Sequence, residues 1–410
     1  MNLSFLRQFL LMNITANRCI RLTDRLLNRP AIAARQVKRS FSPSRPLHSA
    51  SRLLVRAEKI RILFLGSDSF SNASLRALHQ SYVDDPECNI GAIHVGYRPA
   101  KPSGRGLKKL IPPPIQNQAR DLGLPTFEIP TFTGWTPPIE IDLIVAASFR
   151  LKIPPRILGL SRYGGWNLHP SLLPELPGAA PLHWTLLLEK QKTGVTLQTV
   201  HPRFFDAGAI IMQTGEEFKY GRDPYLFLPA DSTLTVKELG DSLGSHGAKM
   251  LVKAIQDRRY LEHFPVSSEP LYPDEQVARW PTPEDQHVDW ETWNPKEILS
   301  KQRLLGPLWE ERQGSKPSRS RRCIWSDISL DGFDQAVGSE LPPGSLFVIE
   351  GDEEVDPVRV KTSERGVSML MKTIKLDGET VMPARRALAK AGIPYLELGS
   401  KGSAGVPVGR

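Results

Sequence analysis

The segment Gly164-Gly165-Trp166-Asn167-Leu168-His169-Pro170-Ser171-Leu172-Leu173-Pro174 sets an amide and an imidazole two residues apart and stops them against a proline. In an extended strand alternate side chains share a face, so Asn167 and His169 point one way and Trp166 and Leu168 the other. Pro170 has no N–H for the ladder, so it leaves both polar groups at the carboxyl end of the strand. An amide donor beside a group that changes charge near neutral pH suits acyl-type chemistry. The first stabilises a developing oxyanion and the second moves a proton. A carboxylate, Asp206, lies downstream in Phe205-Asp206-Ala207-Gly208-Ala209, between two apolar runs. It can orient an imidazole and stabilise its charged form. From spacing alone a satisfied histidine at a strand end accounts for His169 equally well, and an ordinary Asx turn accounts for Asp206 rather better.

In open α/β sheets ligands bind at the carboxyl ends of the strands, and the chain has the pattern for such a sheet. Residues 60–65 form a short apolar run ending in Gly66-Ser67-Asp68, which predicts a buried strand and a tight turn into a helix over about 71–80. Strands are expected at 90–95, 127–129 and 143–147, with a helix at 115–122. That alternation predicts an α/β fold, a mostly parallel sheet with helices on both faces. Residues 97–114, with five prolines and two glycines, are expected to be a long basic loop without regular structure. Further strands are expected at 165–168, 195–201 and 209–213, and helices at 180–189 and 236–255, the latter capped from Asp231-Ser232-Thr233. A Pro-, Glu- and Trp-rich stretch over 261–295 reads as a linker wrapped on the first domain. A helix over 295–304 and an exposed basic stretch over 312–322 follow. After Pro342-Pro343-Gly344, short runs at 345–350, 358–362, 369–374 and 379–382 predict a small C-terminal β-barrel.

Charge is unevenly placed. The chain of 410 residues carries a net charge of +9, but residues 1–57 hold ten arginines and Lys38 against the single acid Asp24. Beyond residue 57 basic and acidic residues nearly cancel, so the basic excess belongs to the leader. An Arg-rich, Ser-containing leader with acids excluded and apolar clusters at Phe5-Leu6 and Phe9-Leu10-Leu11 predicts a mitochondrial transit peptide and a matrix location. Arg39, Phe41 and Ser44 have the spacing that precedes a two-step cut, with a mature start near Ser49. The competing account is a disordered basic arm that touches RNA. No apolar run approaches the roughly 18 residues of a membrane span. Cys19, Cys88 and Cys323 form no C-x-x-C spacing, so neither a disulfide framework nor a zinc site is expected.

Taken together, N-L-H-P-S-L-L-P, then L-P-G-A-A-P, then T-G-V-T and F-D-A-G-A-I, in this order and spacing, resemble the folate-dependent formyltransferases. Within that group the opening Ile62–Phe70, the loop K-P-S-G-R-G-L-K-K-L-I-P-P-P over Lys101–Pro114 and the P-G-S-L at Pro343 resemble the methionyl-tRNA formyltransferases. The resemblance covers roughly residues 59–390 and implies a Rossmann-like formyltransferase domain with a C-terminal barrel related to OB folds. The implied division is a leader over 1–57, a catalytic domain over 58–258, a linker over 259–300, a tRNA-binding OB-like domain over 301–396 and a flexible tail over 397–410. The implied activity passes the formyl group of 10-formyltetrahydrofolate to the α-amine of methionyl initiator tRNA. Asn167, His169 and Asp206 are then the catalytic set and Ser171, Leu172, Leu173 and Pro174 the folate-binding turn. Arg105, Lys108 and Lys109 become tRNA contacts, a solvated charge run being the bland account of the same residues. No metal is called for, no membrane, and a monomer is expected. An α-amine with a pKa of about 7.7–8.0 keeps a usable neutral fraction. Two departures bear on the folate pocket: Ala209 stands where the family usually has an acid, and Arg150 where a small glycine is common.

Three rivals are set aside on specific residues. Another folate formyltransferase, or a formyl-folate hydrolase, acting on a small amine or water needs neither a polybasic arm nor a barrel. A dinucleotide-dependent oxidoreductase needs G-x-G-x-x-G, and the first turn is Gly66-Ser67-Asp68-Ser69-Phe70. A non-catalytic RNA-binding protein would keep loop and barrel but has no use for His169.

Overall fold

The strand Ile60–Gly66 is apolar almost throughout because both of its faces are covered. Ile60, Ile62 and Phe64 join one core, and Leu63 and Leu65 join the core on the opposite side of the sheet. The strand Leu143–Ala147 beside it divides its side chains in the same way. Such two-sided burial is what a parallel sheet imposes on its strands. In this computed structural model the sheet has seven strands, ordered 210–213, 196–199, 165–169, 143–147, 60–66, 90–97 and 126–128. Pairing is parallel from Gly165–His169 through Thr126–Glu128. It is antiparallel at the other edge, where Thr196–Thr199 pairs with Gly165–His169 and with Ile210–Gln213. The described residues are 59–103, 106, 108–215, 217–218, 221–222, 225–229, 233–269, 272–273, 277–314, 320–331, 340–349, 357–398 and 406–408. The expected leader over 1–57 lies outside the described residues.

The helix Ser69–Asp84 starts on Asp68, whose carboxylate accepts from the Ser71 N–H. The helix Val236–Gln256 starts on Thr235, in a capping box with Glu238; Asp231 and Ser232 of the expected cap lie outside the described residues. The two helices pack against each other on one face of the sheet, and Gly247 lets the second approach the sheet closely. A Cβ there would lie 2.3 Å from Leu168 Cδ2. The chain lays down Ile60–Gly66 first, runs outward to 126–128, then returns to the other side as Leu143–Ala147. Strand order therefore reverses between these two neighbours, which is where such sheets open a crevice.

Residues 97–114 are not wholly irregular. The strand Ile90–Tyr97 runs two residues beyond the expected end, and Lys101–Ser103 pairs antiparallel with Lys109–Ile111. Pro102 is tolerated because this ribbon has two strands, so no third strand asks for its missing N–H. The expected basic surface over 312–322 is likewise partly structure. Leu308–Gln313 and Ser320–Trp325 form an antiparallel pair, and Arg312 turns inward to Glu310.

The C-terminal region holds a four-stranded and a six-stranded sheet, largely antiparallel. Two chain passages, from Ser320–Trp325 to Ile328–Leu330 and from Ser368–Met371 to Thr373–Leu376, carry strands from one sheet to the other. This is the sharing expected of a barrel. The sequence pattern misses the helix Ala384–Ala391 and the strand Tyr395–Leu398. In the stretch expected to be a frayed tail, Val406–Val408 pairs with Tyr395–Leu398. Val288, Trp290 and Ile298, inside the expected linker, belong to the C-terminal core.

Candidate active site

Gly165–His169 forms as expected, and its alternation separates chemistry from packing. Trp166 and Leu168 are buried in the helix-covered core, while Asn167 and His169 face the other way. The next strand, Thr196–Thr199, pairs Gln198 with Asn167 and Thr196 with His169. Asp206 comes from the connection leading to Ile210–Gln213. Its carboxylate is the hub of the site. Oδ1 accepts from Asn167 Nδ2 at 3.1 Å and from Gln198 Nε2 at 2.8 Å, and lies 3.4 Å from His169 Nδ1. Oδ2 accepts from the Gly178 N–H at 2.8 Å.

The histidine is fixed from its other side as well. Nε2 lies 2.9 Å from the Leu176 carbonyl oxygen, an atom that can only accept, so Nε2 carries a proton here. His169 is 4% exposed. Asn167 must turn Nδ2 toward Asp206, because its carbonyl oxygen would meet another acceptor. The site thus gathers one anion, two amides and an imidazole at the end of one strand. Such an array can steady an oxyanion and carry a proton between two nitrogens.

The turn bearing Asp206 is tightly stitched to the strand beside it. Asp206 has φ 47°, in the left-handed region that suits glycine. Gly208 donates to Gln198 Oε1 and Ala209 donates to Thr199 Oγ1. A Cβ on Gly208 would lie 1.7 Å from the Thr199 carbonyl oxygen, so only glycine fits.

Ser171–Pro174 follows the strand Gly165–His169 directly. The buried Ser171 hydroxyl donates to the Glu175 carbonyl oxygen at 2.7 Å. Leu173 is in the interior, with its N–H on Thr196 Oγ1 at 3.1 Å. Leu172 is half-buried and Pro174 exposed. Lys108 and Lys109 are exposed at the hairpin described above; Arg105 lies outside the described residues.

At the crevice itself, burial pushes the Asp68 carboxyl above its ordinary value, against the Ser71 N–H, the Ser148 hydroxyl and the Arg150 charge. Ser148 and Arg150 both have positive φ, 53° and 63°, which gives a backbone reason for the usual glycine at the second position. The Arg150 guanidinium sits 4.6 Å from the Trp280 ring centre, and burial, then Arg150, hold His183 below the ordinary histidine value. Trp280 arrives on the predicted linker, which does wrap the domain: Ala180 N–H donates to Ala278 O and Ala278 N–H to Pro177 O, at 2.8 and 2.6 Å. Sequence reasoning did not single out Gln198 or Gly178. The available signal for Gln198 was a polar residue in phase with Thr196 within a buried strand.

Residues 60–222 match the family model described as Formyl transferase. The mitochondrial methionyl-tRNA formyltransferase of Saccharomyces cerevisiae is 32% identical over 302 residues, spanning 66% of this chain and 75% of that protein. The chain belongs to the methionyl-tRNA formyltransferase family. The Geobacillus methionyl-tRNA formyltransferase is 31% identical over 304 residues, spanning 68% of this chain and 87% of its own length. A solved HypX from Aquifex aeolicus in complex with tetrahydrofolic acid is 14% identical with a TM-score of 0.44, covering 83% of this chain and 49% of that one. Among the described residues of this formyltransferase no helix is long and apolar enough to cross a membrane, and no cluster of His, Cys, Asp and Glu is arranged to hold a metal ion.

Proposed function

We infer that this chain transfers the formyl group of 10-formyltetrahydrofolate to the α-amine of methionine carried by initiator tRNA. The single observation that carries the site assignment is the convergence of Asn167, His169 and Gln198 on the Asp206 carboxylate at the carboxyl end of a central strand. The neutral amine attacks the formyl carbon and the carbonyl oxygen becomes an oxyanion. The Asn167 amide donates its second N–H to that oxygen, and the charged His169 ring donates from Nε2, which exchanges the Leu176 carbonyl for the oxyanion. Asp206 orients the imidazole and offsets its charge while a proton passes from the attacking nitrogen to the departing folate nitrogen. Deep burial supports this division of labour, because donors fixed out of water lose little in reorganising.

The turn Ser171–Pro174 is assigned to folate, with Leu172 and Pro174 as its free surfaces and Ser171 and Leu173 as its framework. The hairpin with Lys108 and Lys109, together with Arg105, is assigned to the phosphates of the acceptor arm. A leader, a catalytic domain, a linker and a C-terminal unit are kept for function; the C-terminal unit, which takes in Val288, Trp290 and Ile298 of the expected linker and Val406–Val408 of the expected tail, is assigned to tRNA. Residues 1–57 act as a transit peptide and the enzyme works in the mitochondrial matrix as a monomer, where it supports translation initiation. The composition of the leader supports this location, as does the mitochondrial relative.

The test is a transfer assay with the purified chain, 10-formyltetrahydrofolate and methionyl initiator tRNA. Formylated methionine is expected on the tRNA, and His169→Ala is expected to lose about 10²–10⁴-fold in rate while still binding tRNA. Transfer to a small free amine, with none to charged tRNA, would favour another formyltransferase reading. Full activity in the His169 variant would overturn the site.

A further inference from the structure

We infer that Gln198 is a positioning residue for the reaction: its side-chain amide holds Asp206 in the geometry that orients His169 and Asn167. The inference rests on Asp206 being the carboxylate of the transfer reaction.

Asp206 needs holding. Its left-handed backbone, φ 47°, is strained for a residue with a Cβ and persists only where the surroundings impose it. Gln198 imposes it from both ends of the turn at once. Its Nε2 donates to Asp206 Oδ1 at 2.8 Å, and its Oε1 accepts from the Gly208 N–H at 3.1 Å. The orientation of the amide is forced. Reversed, it would set an oxygen against a carboxylate and an N–H against an N–H, losing both bonds. Gln198 is 1% exposed, so water cannot replace either bond. It also lies opposite Asn167 in the strand register. The two amides therefore reach the same carboxylate oxygen from adjacent strands, and Gln198 sets where that oxygen lies for Asn167 and His169 alike.

Two substitutions test this in the full-length enzyme. Gln198→Met keeps length and burial but removes both bonds. A fall in kcat of about 10- to 100-fold is expected, with KM for tRNA and folate little changed. Gln198→Glu is nearly isosteric. As a neutral acid its O–H donates to Asp206 while its carbonyl accepts from Gly208; as an anion it faces Asp206 with like charge. Its kcat relative to the parent enzyme is therefore expected to be highest at low pH and to fall as pH rises. A merely structural role would lower thermal stability in both variants but leave the glutamate variant's normalised pH profile superimposed on the parent's, and that result would overturn the proposal. Should the methionine variant fail to fold, the glutamate variant decides. Asp206→Asn measured alongside separates the two levels: full activity there removes Asp206 from the reaction altogether.

Discussion

His169 Nδ1 and Asp206 Oδ1 face each other at 3.4 Å, with side chains 5% and 8% exposed. With its proton on Nε2, the neutral ring presents the Nδ1 lone pair to this carboxylate, so the contact is a hydrogen bond only when Nδ1 also carries a proton. Because Nε2 already donates to the Leu176 carbonyl oxygen, a ring protonated at both nitrogens finds an acceptor at each. The carboxylate and the Leu176 carbonyl thus hold the ring in one orientation from its two sides.

Replacing that charge should separate geometry from electrostatics. Asp206→Asn keeps the size of the side chain, but donors from Asn167, Gln198 and Gly178 now meet an amide. A loss of about 10²–10⁴-fold in kcat is expected, with tRNA affinity retained. Single-turnover formyl transfer, with tRNA binding measured separately, checks it; a loss confined to KM would contradict the assigned role.

The turn that carries Asp206 leaves no room at Gly208. A methyl group there would collide with the Thr199 carbonyl oxygen, 1.7 Å from the ideal Cβ, so the turn must move off the strand. Gly208→Ala is expected to abolish transfer more thoroughly than it lowers stability, because Asp206 is two residues away. Comparing residual kcat with the thermal midpoint tests this. Unchanged activity would show that the turn yields without carrying Asp206 along.

Asp68 makes a pH-dependent prediction. Burial, the largest influence, raises its carboxyl in the folded state. A carboxyl raised on folding contributes stability below its unfolded value, near 3.9, and that contribution is lost as pH rises through the folded value. Asn caps a helix about as well as Asp and does not ionise. Asp68→Asn is therefore expected to melt higher than the parent at pH 7.5, by about 2–4 °C for each 1 kcal/mol recovered, and the gap should narrow toward pH 4. Melting curves across that range decide; a gap independent of pH would contradict it.

In the C-terminal region one carboxylate ties the linker to the sheet. Glu310 accepts from Trp290 Nε1 and Trp325 Nε1, each at 2.9 Å, and pairs with Arg312. Glu310→Leu would strand two indole N–H groups in the interior, at a cost of about 2–4 kcal/mol. Urea unfolding followed by tryptophan fluorescence measures it. A change below 1 kcal/mol would mean that the indoles find other acceptors.

Much of the first domain was legible because its signals are local. Residues 60–65 and 143–147 are apolar runs of strand length between turn residues, and they formed strands where expected. Asn167 and His169 share a face because a strand alternates. The C-terminal region was harder. Glu310 and Trp325 flank a stretch, 312–322, whose arginines and serines look like solvated surface, yet Arg312 and the indoles turn inward to one buried carboxylate. The Lys101–Ile111 hairpin was hidden by its prolines, whose cost depends on whether a third strand is present.

By itself the sequence determined the order of the elements, the polar face of the strand Gly165–His169 and the family motif. These depend on period, turn chemistry and residue type within a few neighbours. Only the tertiary structure decided how 39 residues of separation between Asn167 and Asp206 close to 3.1 Å, and that Gln198 stands between the strand and the turn to hold them there. Contacts of that kind come from strand order and register, and the energy that fixes them is shared among groups that no local pattern connects.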